Sequence, residues 1–158
     1  CNELHVRLRS TLNNPSYYAT MLLAFYEPET GRWICMNCGH PDPLLICEGK
    51  VVSFPAGGGG VPVGMPLGPV RPFAEEDQTV LESCPGMNIL LYTDGLSEAL
   101  HRVTGEECGA EGLEKLFARV VADPFAVNRP SALLDLIEDE GYSIGHDDCT
   151  AITIRMTD

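Results

Sequence analysis

The sequence predicts a single α+β domain, and three observations carry that expectation. Short apolar segments separated by turn residues recur through the first two-thirds of the chain, the pattern of paired antiparallel strands. Two longer segments near the C-terminus place apolar residues at helical spacing. Two apolar strands also carry carboxylates at one tip: LLYTDG stops abruptly at Asp94-Gly95, and HDDCTAITI begins with Asp147-Asp148.

Each element follows from local pattern. Asn2–Asn14 carries Leu4, Leu8 and Leu12 at four-residue spacing, an amphipathic helix stopped by Asn-Asn-Pro. YATMLLAFYEPETGRWICMNC reads as two strands joined at Pro28-Glu-Thr-Gly31. PLLICEGKVVSF is a second hairpin turning at Glu48-Gly49-Lys50. Pro55–Pro72 is a Gly/Pro loop; its Gly57–Gly60 run lacks the Lys-Ser/Thr of a P-loop. QTVLESC is a strand, Pro85-Gly86 a turn, and NILLYTDG a buried strand with a polar end. LSEALH reads as a short helix, GAEGLEKLFARVVA and PSALLDLIEDEG as amphipathic helices, and HDDCTAITIRM as the last strand. There is no internal repeat and no clear linker, so residues 1–158 read as one domain.

Composition narrows the function. Ten Lys and Arg stand against 23 Asp and Glu, for a net charge of −13. Phosphate backbones and anionic lipid call for a basic surface, so neither nucleic acid nor a membrane is expected as a partner. No apolar run approaches the ~18 residues of a membrane span. Seven irregularly spaced cysteines do not make a disulfide framework, and the chain reads as reduced, intracellular and cytoplasmic.

The segment CMNCGH (Cys35–His40) tests three cysteine chemistries. A structural zinc site needs four ligands, and no second Cys pair exists here. Haem attachment needs C-x-x-C-H, and Gly39 intervenes. A thioredoxin-like pair opens a helix, whereas this one sits on an expected strand, where positions three apart face opposite ways. Cys35 and Cys38 are therefore read as small apolar core residues.

Carboxylates at strand tips are held rigidly yet meet solvent, which suits Mg2+ or Mn2+, hard cations that take oxygen ligands and keep several waters. Gly95 lets backbone or metal-bound water come close. The plainer alternative is a turn at Asp94-Gly95 and a solvated strand start at Asp147-Asp148.

Taken together, YATMLLAFYEPETGRWICMNCGHPDPLLI, GVPVGMPLG, NILLYTDGLSEAL and HDDCTAITI, in that order, resemble the SpoIIE/RsbU-like branch of the metal-dependent (PPM, type 2C-like) serine/threonine phosphatases, over roughly Ser16 to Met156. The resemblance implies an α-β-β-α sandwich of two mainly antiparallel sheets flanked by helices. It implies two Mn2+ or Mg2+ ions whose bridging water attacks a phosphoserine or phosphothreonine directly. By position, Asp94 and Asp147 resemble metal-ligand aspartates with catalytic roles, Asp148 a direct or supporting one, and His40 a residue bordering the site or fixing a turn. The substrate implied is a bacterial regulatory phosphoprotein such as an anti-sigma-factor antagonist, in signal transduction.

The family's upstream ligand motifs, Gly-Asp and Asp-x-x-Gly-x-Gly, have no counterpart in the sequence. The expectation is thus the C-terminal part of a phosphatase domain, inactive alone, with regulatory domains upstream in the parent and with exposed sheet edges that invite homo-oligomers. A non-catalytic binding or scaffolding module on the same fold is the alternative.

Overall fold

The computed structural model describes residues 2–11, 18–52, 54, 62–63, 73–127, 129, 131–145 and 147–157. These form two compact units: residues 1–40 with 55–83, and residues 41–54 with 84–158. Almost all of the expected Gly/Pro loop, its glycine run included, lies outside the described residues.

In the first unit, α1 spans Asn2–Thr11, with Glu3 in its first turn and Arg9 in its last, both favourable to the helix dipole. Of the expected leucine stripe, Leu8 is half-buried and Leu12, with Asn13 and Asn14, lies outside the described residues. Leu4 is exposed, and His5 is the buried residue. The cause is local: the Asn2 side chain exchanges two hydrogen bonds with the Phe73 backbone (2.9 and 2.6 Å), and the His5 ring meets the Phe73 ring edge-on. Asn2 and His5 are one turn apart, so anchoring them turns Leu4 outward.

Strands β1 (Met21–Glu27), β2 (Arg32–Cys38) and β3 (Thr79–Glu82) form an antiparallel sheet in the order β1-β2-β3. The β1–β2 turn closes with the Gly31 N–H donating to the Glu27 carbonyl, and Gly31 sits at φ +67°, where glycine is unstrained. One sheet face carries the buried Trp33, Cys35 and Thr79. The other leaves Leu23, Phe25 and Val80 exposed.

The second unit holds a four-stranded antiparallel sheet. Its strands are β4 (Leu44–Cys47), β5 (Lys50–Val52), β6 (Asn88–Tyr92) and β7 (Ala151–Arg155), ordered β5-β4-β6-β7. The β4–β5 turn has Glu48 and Gly49 both at positive φ, as a two-residue hairpin turn compatible with strand twist requires. Ile46, Leu90 and Tyr92 pack with the helices α2 (Asp94–Ser97), α3 (Gly109–Ala122) and α4 (Ala132–Asp139). Helix α3 buries Leu113, Leu116, Phe117 and Val120, a stripe at 3.6-residue spacing. Several elements are shorter than expected, among them α4 and β7, and the region after Asp94 differs in kind. The short helix is Asp94–Ser97 instead of Leu96–His101, and Leu100–His101 forms a strand, β8, paired with β9 (Tyr142–Ser143). Pairing to a distant segment overrode a weak local helical pattern.

The cysteines are partly as expected. Cys35 and Cys38 are buried free thiols, as is Cys108, and burial raises all three thiol pKa values. The expectation of a fully reduced chain is not met: Cys47 and Cys84 form a disulfide across 37 positions, with Cα atoms 6.2 Å apart. Among the described free cysteines, a soluble maleimide is expected to label the half-buried Cys149 first. Cys35, Cys38 and Cys108 should react only on unfolding; rapid labelling of Cys35 by mass spectrometry would show that the inner face of β2 opens readily.

Candidate metal centre

Strand β6 is a near-continuous apolar run because both of its neighbours are strands and helices cover one face. Its register with β7 ends at Tyr92 opposite Ala151, so the residues after Tyr92 and before Ala151 leave the sheet at the same end. Those residues are Thr93-Asp94-Gly95 and Asp147-Asp148-Cys149-Thr150.

Thr93 stitches the two segments. Its N–H donates to the Thr150 carbonyl (3.1 Å), its hydroxyl donates to the Asp148 carbonyl (2.9 Å), and it accepts from the Thr150 N–H (2.8 Å). A Thr at a helix N-cap usually accepts from the first helical turn. Here the hydroxyl is spent across the strand ends, and no side-chain cap bond forms on α2.

Gly95 is the second contact. A Cβ there would lie 2.9 Å from the Asp148 carbonyl oxygen and 3.0 Å from Cys149 Sγ. The close approach that glycine permits is therefore used by the Asp148 backbone. Its φ is ordinary; space, not conformation, requires glycine.

Asp94, Asp147 and Asp148 are all exposed. One oxygen of Asp94 accepts from the Gly95 N–H (3.1 Å), and one oxygen of Asp147 accepts from the Asp148 N–H (2.7 Å). These bonds orient each carboxylate. Among the described residues no other hydrogen bond or ion pair engages either group, so each keeps an oxygen for another partner. A helix start at Asp94 and a chain bend at Asp147 account for the two bonds but not for the convergence of both acidic segments through Thr93 and Gly95.

A further carboxylate was missed in the sequence. Asp42 precedes β4 by two residues, and Tyr92 follows Leu90, the partner of Leu44, by two. Antiparallel register thus carries Asp42 to the Tyr92 end of the sheet. The Tyr92 hydroxyl has a raised pKa, chiefly from burial and secondarily from the Asp42 charge. The HPDP motif held that signal only in combination with the strand register.

His40 belongs to the first unit. The Asn37 side chain donates to the His40 carbonyl and accepts from the His40 N–H, both at 2.8 Å. Asn37 therefore closes this turn, and the His40 ring instead lies 3.3 Å from the Thr20 hydroxyl. Gly39, at φ +73°, passes so close to Pro62 that a Cβ would come within 2.7 Å of its ring.

The donor set suits part of a hard-cation site. The carboxylates are anionic, backbone-oriented and solvent-facing, and Mg2+ is commonly held by one or two carboxylates plus waters. Among the described residues, no group of three or more His, Cys, Asp or Glu side chains could hold a metal by itself.

The family profile of Stage II sporulation protein E (SpoIIE) matches residues 1–157. The chain belongs to the SpoIIE family. Solved structures agree on the fold. The SiaA-PP2C domain of Pseudomonas aeruginosa superposes with a TM-score of 0.71 at 16% identity, over 96% of this chain and 57% of that one. The RsbU and RsbW domains of a Mycobacterium tuberculosis protein give 0.62 at 24%, over 96% and 40%. The phosphatase domain of Bacillus subtilis SpoIIE, presoaked with manganese, gives 0.56 at 14%, over 87% and 56%. No curated protein matches the sequence. This SpoIIE-family chain has the α+β fold of PPM-type phosphatases and spans only about half the length of these structural neighbours. None of its described helices is long and apolar enough to cross a membrane.

Proposed function

We propose that this chain is the C-terminal portion of a single metal-dependent phosphatase domain and supplies part of its metal centre. One observation carries the reading: the β6–β7 register, Thr93 and Gly95 bring the two acidic segments to one end of one sheet. The substrate class is phosphoserine or phosphothreonine on a regulatory protein. Family membership and the manganese-soaked SpoIIE neighbour support this.

Asp94 and Asp147 would hold Mn2+ or Mg2+ through their uncommitted oxygens. Asp148 supports this end of the site through its backbone carbonyl and its neighbouring charge. Gly95 keeps the two segments close enough to act together. When bound, the ions supply an activated water and neutralise charge on the phosphoryl oxygens. The chain's own part is to orient the carboxylates before any metal arrives: the Gly95 and Asp148 N–H groups fix one oxygen of each.

Two carboxylates bind a hard cation weakly, so the remaining ligands are proposed to come from an upstream segment of the parent protein, where regulatory domains would also lie. The site of action proposed is the cytoplasm. The exposed apolar face of Leu23, Phe25 and Val80 is where a second copy, or that upstream segment, would pack.

The test is Mn2+-dependent hydrolysis of a generic aryl phosphate by this chain and by the same chain extended upstream. Activity in the extended form alone is the expected result. Metal binding with activity in neither would favour the second reading, a non-catalytic module.

A further inference from the structure

Cys47 ends β4, immediately before the Glu48-Gly49 turn. Cys84 begins the turn that leads into β6, where the Met87 N–H donates to its carbonyl (3.1 Å). The two are joined, and both are only half-buried. The bond closes residues 48–83 into a covalent loop. That loop takes in β5, β3 and the segment between them.

Three observations bear on how this pair would behave. Cys35, Cys38 and Cys108 are buried free thiols whose raised pKa values disfavour the reactive thiolate. Cys47 instead closes β4 at its turn and Cys84 opens the next one, and both residues are partly exposed, which favours attack by an external thiolate. In addition, β4 does not depend on the bond for its place: it is held in register by β5 on one side and β6 on the other. Cleavage would therefore remove a loop constraint without removing a sheet.

We infer that Cys47–Cys84 is a reversible redox clasp, and that its oxidation state sets the stability of the sheet that carries Asp94. In the reductive step, a thiolate of an external dithiol attacks one clasp sulfur. The S–S bond breaks, a mixed disulfide forms, and the other cysteine leaves as thiolate and takes a proton. The second thiol of the reductant then displaces the remaining cysteine, which also takes a proton. The clasp gains two electrons and two protons, and the dithiol becomes a cyclic or intramolecular disulfide. The inference is independent of the phosphatase reading.

The experiment is peptide mapping of the non-reduced protein, followed by titration with dithiothreitol under native conditions and thermal melting in each state. Oxidised protein should yield a cross-linked peptide pair containing Cys47 and Cys84. Dithiothreitol should cleave it in the folded protein and lower Tm by about 10 °C, the loop-closure effect for a loop of this length. Cys47→Ser should melt like reduced wild type and ignore dithiothreitol. The inference is overturned if mild oxidation yields no such cross-link, if the bond is cleaved only in denaturant, or if Cys47→Ser keeps the dithiothreitol-dependent shift. Should Cys47→Ser fail to fold, the wild-type titration decides by itself, read as loss of the cross-linked peptide with circular dichroism unchanged.

Discussion

Asp94→Asn or Asp147→Asn, placed in a chain that includes the upstream segment, should lower Mn2+-dependent aryl phosphate hydrolysis by about a hundredfold or more. Losing a group that merely orients a metal ligand already costs about 10–100-fold, and a ligand itself should cost at least that. The fold should survive. The amide oxygen of asparagine can still accept from the Gly95 or Asp148 N–H, so each local bond has a replacement. Both side chains are exposed, and surface changes typically move stability by less than about 0.5 kcal/mol. The measurement is kcat/KM against Mn2+ concentration, with Tm alongside. Full activity in either variant with metal dependence intact would remove that residue from the site. Reduced activity that excess Mn2+ restores would identify it as a ligand weakened in affinity.

The second large effect concerns the core. Phe117→Ala should cost about 3–5 kcal/mol of stability, the usual range for a buried aromatic. Phe117 is 1% exposed and lies in the cluster of Leu90, Leu96, Leu113 and Ile137, which joins α3 to the four-stranded sheet. The cavity left cannot be filled by its neighbours, because they stand on separate elements held by their own ladders and helices. Phe125, 89% exposed, is the matched control and should tolerate alanine within about 0.5 kcal/mol. Urea unfolding with an unchanged m-value would read both. A Phe117→Ala loss under about 1 kcal/mol would show a core that collapses around the gap.

Local patterns made much of the fold legible. The α3 segment was read to its observed limits because its apolar stripe and terminal residues agree. The first hairpin was read because Pro28-Glu-Thr-Gly31 interrupts two strongly apolar runs. The helix at Asp94 was displaced by two residues, since a four-residue helix has no period to detect. The leucine spacing of α1 marked an amphipathic helix without showing what stands opposite each residue, and Leu4 is exposed. The pairing of Cys47 with Cys84 was invisible, as spacing alone does not bring two turns together.

The candidate site divides the same way. By itself the sequence determined that Asp94 follows one apolar strand and Asp147 precedes another, because strand and charge are local properties of a few consecutive residues. It also determined the family, through four motifs in order. Only the tertiary structure decided that these two tips lie at one end of one sheet, that Thr93 and Gly95 clamp them together, that Asp42 belongs to the same end, and that His40 is held by a separate turn. The reason is physical. Strand register and disulfide partnership are contacts between residues far apart in the chain, set by which packed arrangement satisfies the whole core, and no short stretch of residues contains them.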